Sequence, residues 1–193
     1  MLFLHFESKL AHKHDIIFVG GVHGVGKTTI CDRYSSELQI RHYEASKLIN
    51  SLLSSISDTD KKVADVRGNQ IGLINAINRL EFEPKPLILS GHYVLLTSSG
   101  ELEKVPIEFF RQMSPIELAV IRDTPTDIFK RLGARNSREF TITIIEGLQN
   151  AELAHAREVS EVLGVRLTEL PFEDNSLHEL FFHEVATKPK QLS

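Results

Sequence analysis

Short, continuous apolar runs alternate along the chain with longer segments in which apolar residues recur every three or four positions. Continuous runs rich in β-branched residues are typical of strands buried on both faces, and the helical spacing indicates helices packed on them. The predicted strands span residues 15–20, 40–43, 87–92, 116–122 and 165–170. The predicted helices span residues 27–39, 44–56, 61–80, 106–112, 124–132, 141–163 and 175–186. This alternation predicts an α/β fold with a mainly parallel five-stranded sheet flanked by helices.

Two finer features follow from the same pattern. Residues 93–96 and 102–105 are short apolar segments separated by a polar turn, which predicts a small hairpin. The helix over 141–163 should bury one face and end at Gly164, a residue suited to a helix C-terminus. The residues expected on that buried face are Ile145, Leu148, Ala151, Val159 and Val162. In the helix over 61–80, the apolar positions include Val63, Val66, Ile71, Ile74, Ile77 and Leu80.

The segment between the first strand and the first helix fits G-x-x-x-x-G-K-[ST], the Walker A or P-loop pattern. Its glycines allow the backbone to approach a polyphosphate closely, and the N–H groups at the start of the helix attract anions. Lys27 adds a full positive charge for the β- and γ-phosphates, and the hydroxyl of Thr28 is the predicted ligand of Mg²⁺. The residues predicted to bind the nucleotide are Gly21, Gly24, Val25, Gly26, Lys27, Thr28 and Thr29.

The composition limits the classes of partner. The chain has 193 residues, a net charge of −4 and no basic block, which argues against nucleic acid and anionic membrane as main partners. No apolar run is long enough to span a bilayer. The single cysteine, Cys31, is expected to be a buried thiol in a reducing compartment, and the predicted location is the cytoplasm. His12 and His14 are a weak metal signal, and both are expected to be exposed to solvent.

Four features together resemble the nucleoside monophosphate kinases, and most closely the archaeal-type adenylate kinases with a short lid. They are the P-loop itself, Asp65-Val66-Arg67 in a helix after the second strand, Ser90-Gly91-His92 before a hairpin-like stretch, and the segment from Asp123 to Leu132 followed by Arg135 and Arg138. The resemblance implies a three-layer P-loop NTPase fold. It also implies transfer of the γ-phosphate of ATP, with Mg²⁺, to a small acceptor.

The resemblance also assigns parts to regions and residues of this chain. Residues 1–14 form an extension and residues 15–193 one domain, with acceptor-binding helices at about 44–82 and a lid at about 131–141. Arg67 and Gln70 are expected to bind the acceptor, and His92 is either a substrate contact or a buried histidine. If the lid is helical, arginine side chains on one face would close over the transferring phosphates. These lid arginines are Arg131, Arg135 and Arg138.

One position departs from the pattern of that family. The family has an acidic residue at the end of the third strand that holds Mg²⁺ through water, and this chain has the neutral Ser90 there. Asp123, at the end of the next strand, is one possible replacement. The departure leaves nucleotide binding untouched but weakens the case for fast transfer. The alternatives are therefore a kinase of a non-nucleotide small molecule, or an ATP-binding regulatory module with little or no transfer.

Overall fold

A computed structural model describes residues 14–55, 66–81, 85–97, 100–133 and 140–187; for residues 52–55 and 66–69 it describes the backbone alone. The predicted five-stranded sheet is confirmed. All of its strands are parallel, in the spatial order β2-β3-β1-β6-β7, and a separate antiparallel hairpin consists of β4 and β5. The strands are β1 (Ile16–Gly20), β2 (His42–Glu44), β3 (Leu87–Ser90), β4 (Val94–Leu96), β5 (Leu102–Lys104), β6 (Pro115–Arg122) and β7 (Leu167–Pro171).

Helices cover both faces of the sheet, as the continuous apolar character of its strands requires. Each predicted helix is present, and most of the observed ends lie within one or two residues of the predicted ones. The predicted start of α3, at residue 61, cannot be compared, because residues 56–65 lie outside the described part of the chain. The helices are α1 (Lys27–Leu38), α2 (Ala45–Ser55), α3 (Val66–Arg79), α4 (Ile107–Met113), α5 (Pro125–Gly133), α6 (Ile142–Leu163) and α7 (Asn175–Ala186). No helix among the described residues is long and apolar enough to cross a membrane.

The central strand β1 divides two apolar cores because successive side chains point to opposite faces of a sheet. Ile17 and Val19 belong to one core, and Ile16 and Phe18 belong to the other. The chain leaves β1 towards β2 through α1, whereas β6 lies on the opposite side of β1. Such a reversal of direction opens a crevice at the carboxyl ends of the strands, where ligands of α/β proteins bind.

Two predicted exposures, those of Val162 on α6 and of His14 before β1, are wrong. Val162 is 47% exposed, because the buried face of α6 runs through Glu152, Ala156 and Val159, and the partly buried Leu163 takes the next place on that face. Ile71 is 65% exposed on α3. This side chain points away from the core that Leu73 and Ile77 enter.

His14 is buried rather than exposed, with 6% of its surface accessible. It lies just before β1 in a narrow crevice against Ile74, Ile77 and Met113, so the helices α3 and α4 cover it. His12 lies outside the described residues. Cys31 is fully buried, as expected, and burial raises the pKa of its thiol well above the ordinary value.

Candidate active site

The P-loop connects the carboxyl end of β1 to α1, and its glycines adopt backbone angles that other residues avoid. Gly26, the residue before the helix, has a φ of 105°, and a Cβ atom there would lie 2.2 Å from the ring of Phe172. No side chain caps the N-terminus of α1. The N–H groups of the first turn are therefore left to interact with a bound anion.

Lys27 lies on the first turn of α1 and folds back over the loop. Its Nζ donates to the carbonyl oxygens of Gly21 and Val22, at 2.5 and 3.1 Å, and lies 3.2 Å from Nε2 of His92. Burial lowers the pKa of Lys27 to about 8, while Glu152, Cys31 and Glu44 act in the opposite direction. The ammonium group thus lies on the inner side of the P-loop, where it donates hydrogen bonds to backbone carbonyl oxygens.

Glu152 lies beneath the loop and was not anticipated from the sequence. It projects from α6, is 1% exposed, and accepts a hydrogen bond from the N–H of Tyr93 at 2.9 Å. Burial raises the pKa of Glu152 to about 7, against the opposing effects of that N–H, of Lys27 and of nearby backbone N–H groups. The available signal was a carboxylate four residues after Leu148, on the buried face of a helix.

His92 lies at the P-loop, next to Lys27 and His23. Its ring stacks on that of His23 within the loop, with centroids 5.6 Å apart and planes 25° from parallel. Burial, Lys27 and His23 hold the pKa of His92 well below the ordinary value. A neutral imidazole beside the ammonium group of Lys27 can accept its proton in a hydrogen bond.

Arg131, on α5, is the one predicted lid arginine whose side chain the structure describes, and it contacts the P-loop. Its Nε donates to the carbonyl oxygen of Gly24 at 2.9 Å, and its guanidinium lies 4.6 Å from the ring centroid of Phe172. Its Nη2 pairs with Asp123 at 2.5 Å. Asp123 is thereby committed to Arg131, which argues against its use as a replacement for the missing acid. Arg135 and Arg138 lie outside the described residues.

A cavity of about 440 Å³ extends from the P-loop towards α2, α3 and α4. Thr28 and Thr29 border it next to the P-loop, and apolar side chains supply much of the rest of its lining. Those apolar residues are Phe18, Ala45, Ile49, Leu73, Leu95, Val105 and Phe109. A cavity of this size and mixed polarity is typical of a small-molecule site.

Two polar groups from α3 and β2 also line this cavity and could orient a second ligand. The amide nitrogen of Gln70 is buried there without a hydrogen-bond partner. Glu44, at the end of β2, adds a carboxylate whose described partner is Lys47 at 2.7 Å. The structure therefore brings Gln70 to the cavity, whereas the side chain of Arg67 lies outside the described part of the chain.

A divalent cation would find oxygen ligands here rather than a preformed cage. Within the described ranges, no three histidine, cysteine or acidic side chains converge. The hydroxyl of Thr28 is exposed on the first turn of α1, at the edge of the cavity. This donor set fits Mg²⁺ held mainly by phosphates and water, which is its usual mode in phosphate-binding sites.

Comparisons with solved structures agree with the overall fold. A shikimate kinase from Acinetobacter baumannii, solved in complex with shikimate, aligns over 90% of this chain and 92% of its own, with a TM-score of 0.54 and 13% identity. An uncharacterized protein from Eubacterium ventriosum aligns over 91% of this chain and 99% of its own, with a TM-score of 0.51 and 12% identity. At such identities the likeness concerns the fold alone.

The sequence itself gives a family but no characterised relative. No curated protein matches the chain. A sequence model of the AAA domain family, AAA_17, matches residues 20–149, which include the P-loop, Glu44, Ser90, His92 and Arg131. Because this match spans more than half of the chain, the protein belongs to the AAA domain family.

Proposed function

We propose that the protein is a phosphotransferase that moves the γ-phosphate of ATP to a nucleotide or nucleoside-like small acceptor, as the adenylate kinases do. The observation that carries this proposal is the cavity itself, which joins the P-loop to an apolar wall with the unpartnered amide of Gln70. An apolar wall suits the face of a nucleobase, and an amide suits its polar edge.

In the proposed reaction, the P-loop N–H groups and Lys27 bind the phosphates of ATP. Lys27 moves from the carbonyl oxygens of Gly21 and Val22 to the β- and γ-phosphates, and Arg131 neutralises charge at the loop. Transfer needs positioning and charge neutralisation more than covalent help from the protein. Mg²⁺, bound through Thr28, phosphates and water, would supply further neutralisation of the transferring group. Arg67, Arg135 and Arg138 remain proposed ligands of the acceptor and of the transferring phosphates.

A second candidate acceptor is a neutral molecule with a hydroxyl group. Glu44 favours it, because a carboxylate in the cavity repels an anionic acceptor and can accept a proton from a hydroxyl as it attacks. A third candidate, an ATP-binding regulatory module, is favoured by the neutral Ser90. The buried, reduced Cys31 is compatible with the proposed cytoplasmic location.

The test is an assay of ADP production with ATP, Mg²⁺ and a panel of nucleoside monophosphates, nucleosides and polyhydroxylated acids. Turnover stimulated by one nucleotide or nucleoside supports the proposal. Stimulation by a non-nucleotide alcohol alone supports the second candidate. Thermal stabilisation by ATP without stimulated turnover supports the regulatory module.

Lys27→Ala should abolish acceptor-stimulated turnover, with a loss of at least about 100-fold, because it removes the one flexible cation of the P-loop. Lys104→Ala is the matched control and should retain wild-type turnover. Lys104 is an exposed lysine at the end of β5 in the hairpin, and it forms an ion pair with Glu158 of α6. Full activity in Lys27→Ala would refute the assignment of the site.

A further inference from the structure

Ser90 occupies the position where an acidic residue would be expected. It ends β3 and pairs in register with Val19 of β1, directly before the P-loop. The residue is 4% exposed, and it lines the cavity. Its hydroxyl is therefore a buried polar group that faces the place where the phosphates of ATP are proposed to bind.

Two further residues hold this hydroxyl in a hydrogen-bonded chain. Nε2 of His42 lies 2.9 Å from Oγ of Ser90, and Nδ1 of the same ring lies 2.6 Å from Oδ1 of Asp32. The His42 side chain is 4% exposed, whereas that of Asp32 is 64% exposed. The three residues come from β2, β3 and α1, so the chain forms only when these elements assemble.

The direction of these hydrogen bonds follows from the chemistry of the groups. A carboxylate only accepts, so the Nδ1–H of His42 donates to Asp32. In the neutral ring Nε2 then carries a lone pair, and it accepts the O–H of Ser90. Because the proton of Ser90 is committed to His42, its oxygen offers only lone pairs to the cavity. A carboxylate offers the same acceptor-only character.

We propose that Asp32, His42 and Ser90 act as one unit in place of the missing acid: Oγ of Ser90 accepts a hydrogen bond from a water molecule bound to the divalent cation of the ATP complex. This inference rests on the ATP site of the proposed function. In it, Asp32 and His42 are positioning residues that orient the hydroxyl of Ser90 without contacting the nucleotide.

A serine bonded to a histidine, which is bonded in turn to an aspartate, also occurs in acyl-transfer enzymes, where the backbone N–H next to the serine often helps to stabilise an oxyanion. The N–H of Gly91, the residue after Ser90, donates to the carbonyl oxygen of Val19 at 3.1 Å. The amide beside the hydroxyl is therefore already used, and holding a water molecule is the favoured role.

The experiment uses Mn²⁺ as the probe, with a non-hydrolysable ATP analogue, and measures free Mn²⁺ by electron paramagnetic resonance. Ser90→Ala and His42→Phe should each weaken Mn²⁺ binding to the protein–analogue complex by about fivefold, the loss typical of one hydrogen bond. Asp32→Asn should weaken it by a smaller factor, about twofold. Ser90→Asp should restore or exceed the wild-type affinity, because it provides the acid directly.

Binding of the analogue without metal should be unchanged in all of these variants. The matched control is the exposed pair of His183 and Glu37, 2.9 Å apart, so His183→Gln should retain wild-type affinity for Mn²⁺. If Asp32 acts only through His42 and Ser90, its effect must depend on Ser90. Asp32→Asn should therefore cause no further loss of Mn²⁺ affinity in the Ser90→Ala protein. Since the side chain of Asp32 is 64% exposed, Asp32→Asn is not expected to disturb folding in either protein.

The possible failures are distinguishable. If the wild type does not bind the ATP analogue, the proposed function itself fails. If it binds the analogue but Ser90→Ala keeps full affinity for Mn²⁺, the role of Ser90 is refuted. If Ser90→Ala weakens Mn²⁺ binding and the effect of Asp32→Asn is simply additive to it, the relay through His42 is overturned.

Discussion

At the scale of single residues, the site contains two ionisable groups, Lys27 and Glu152, whose pKa values are shifted by their surroundings. Lys27 reaches the P-loop from α1 and Glu152 reaches it from α6. Burial lowers the pKa of Lys27 to about 8 and raises that of Glu152 to about 7. Each shift reflects the cost of keeping a charge inside the protein. The attraction between the two groups offsets part of this cost, so removal of one partner should change the pH dependence of stability.

Glu152→Gln tests this account. Burial raises the pKa of Glu152 from 4.5 to about 7, so the folded protein retains a proton that the unfolded chain releases between these pH values. The resulting stabilisation is complete below about pH 4.5 and is lost as the pH rises through 7. Relative to wild type, the free energy of unfolding of Glu152→Gln should therefore rise by about 3 kcal/mol from pH 4.5 to pH 7.

The measurement is urea unfolding of both proteins across this pH range. Glu146→Gln, on the exposed face of the same helix, is the matched control and should follow the wild type at every pH. A difference between Glu152→Gln and wild type that is constant with pH would contradict the raised pKa. The ammonium group of Lys27 contributes with the opposite sign and at higher pH, since its cost is relieved only as the pH rises through 8 towards 10.5.

Arg67 provides a second test at the residue scale, based on the sequence. If its guanidinium holds the acceptor, Arg67→Ala should raise the KM for the acceptor by about tenfold and leave the affinity for ATP nearly unchanged. Steady-state kinetics with each substrate varied in turn measure both quantities. A larger effect on ATP than on the acceptor would remove Arg67 from the acceptor site.

At the scale of elements, the P-loop is fixed by its surroundings as well as by its own glycines. Arg131 of α5 donates a hydrogen bond to the loop at Gly24 and pairs with Asp123. Gln149 of α6 in turn holds the backbone of Asp123 through two hydrogen bonds of 3.1 and 2.9 Å. Phe172, which follows β7, lies against Gly26. A side chain at Gly26 would therefore meet both an unfavourable backbone angle and a rigid ring.

Gly26→Ala should destabilise the protein by about 2 kcal/mol or more and prevent binding of the ATP analogue, because a φ of 105° is strained for alanine. Gly147→Ala is the control on α6, where a Cβ meets no atom within 4 Å. That substitution should raise stability by up to about 1 kcal/mol, as expected for alanine within a helix. Urea unfolding measures both, and equal stability of the two variants would contradict this view of the loop.

At the scale of the whole molecule, the helix that begins at Lys27 is supported by the last helix of the chain. Phe182 of α7 is fully buried and stacks on Tyr34 of α1, with ring centroids 4.6 Å apart. Both side chains belong to the core on one face of the sheet. The position of the helix that follows the P-loop thus depends on residues about 150 positions away in sequence, which is a consequence of the layered fold.

Phe182→Ala should lower the free energy of unfolding by about 3–5 kcal/mol, because it leaves a cavity in this core. Leu180→Ala on the same helix, where the side chain is 64% exposed, should change it by no more than about 0.5 kcal/mol. Urea unfolding of the three proteins checks this. A similar loss in both variants would mean that α7 is not packed as described.

Much of the fold could be predicted because its signals lie within short windows of sequence. Continuous apolar runs identified the strands of the sheet, and the glycines and Lys27 identified the P-loop, since loop, strand and helix are contiguous in the chain. The errors have the same origin. The exposure of Val162 depends on how α6 is rotated against the sheet, and the burial of His14 depends on which helices cover the start of β1.

The sequence by itself therefore determined the class of fold and the location of the P-loop, because both depend on local periodicity and on one contiguous motif. Only the tertiary structure brought Glu152 beneath Lys27, and joined Asp32, His42 and Ser90 into one chain of hydrogen bonds. The physical reason is that strand order and helix packing decide which distant side chains become neighbours. The pattern of residues along the chain does not contain the spatial distances between such side chains.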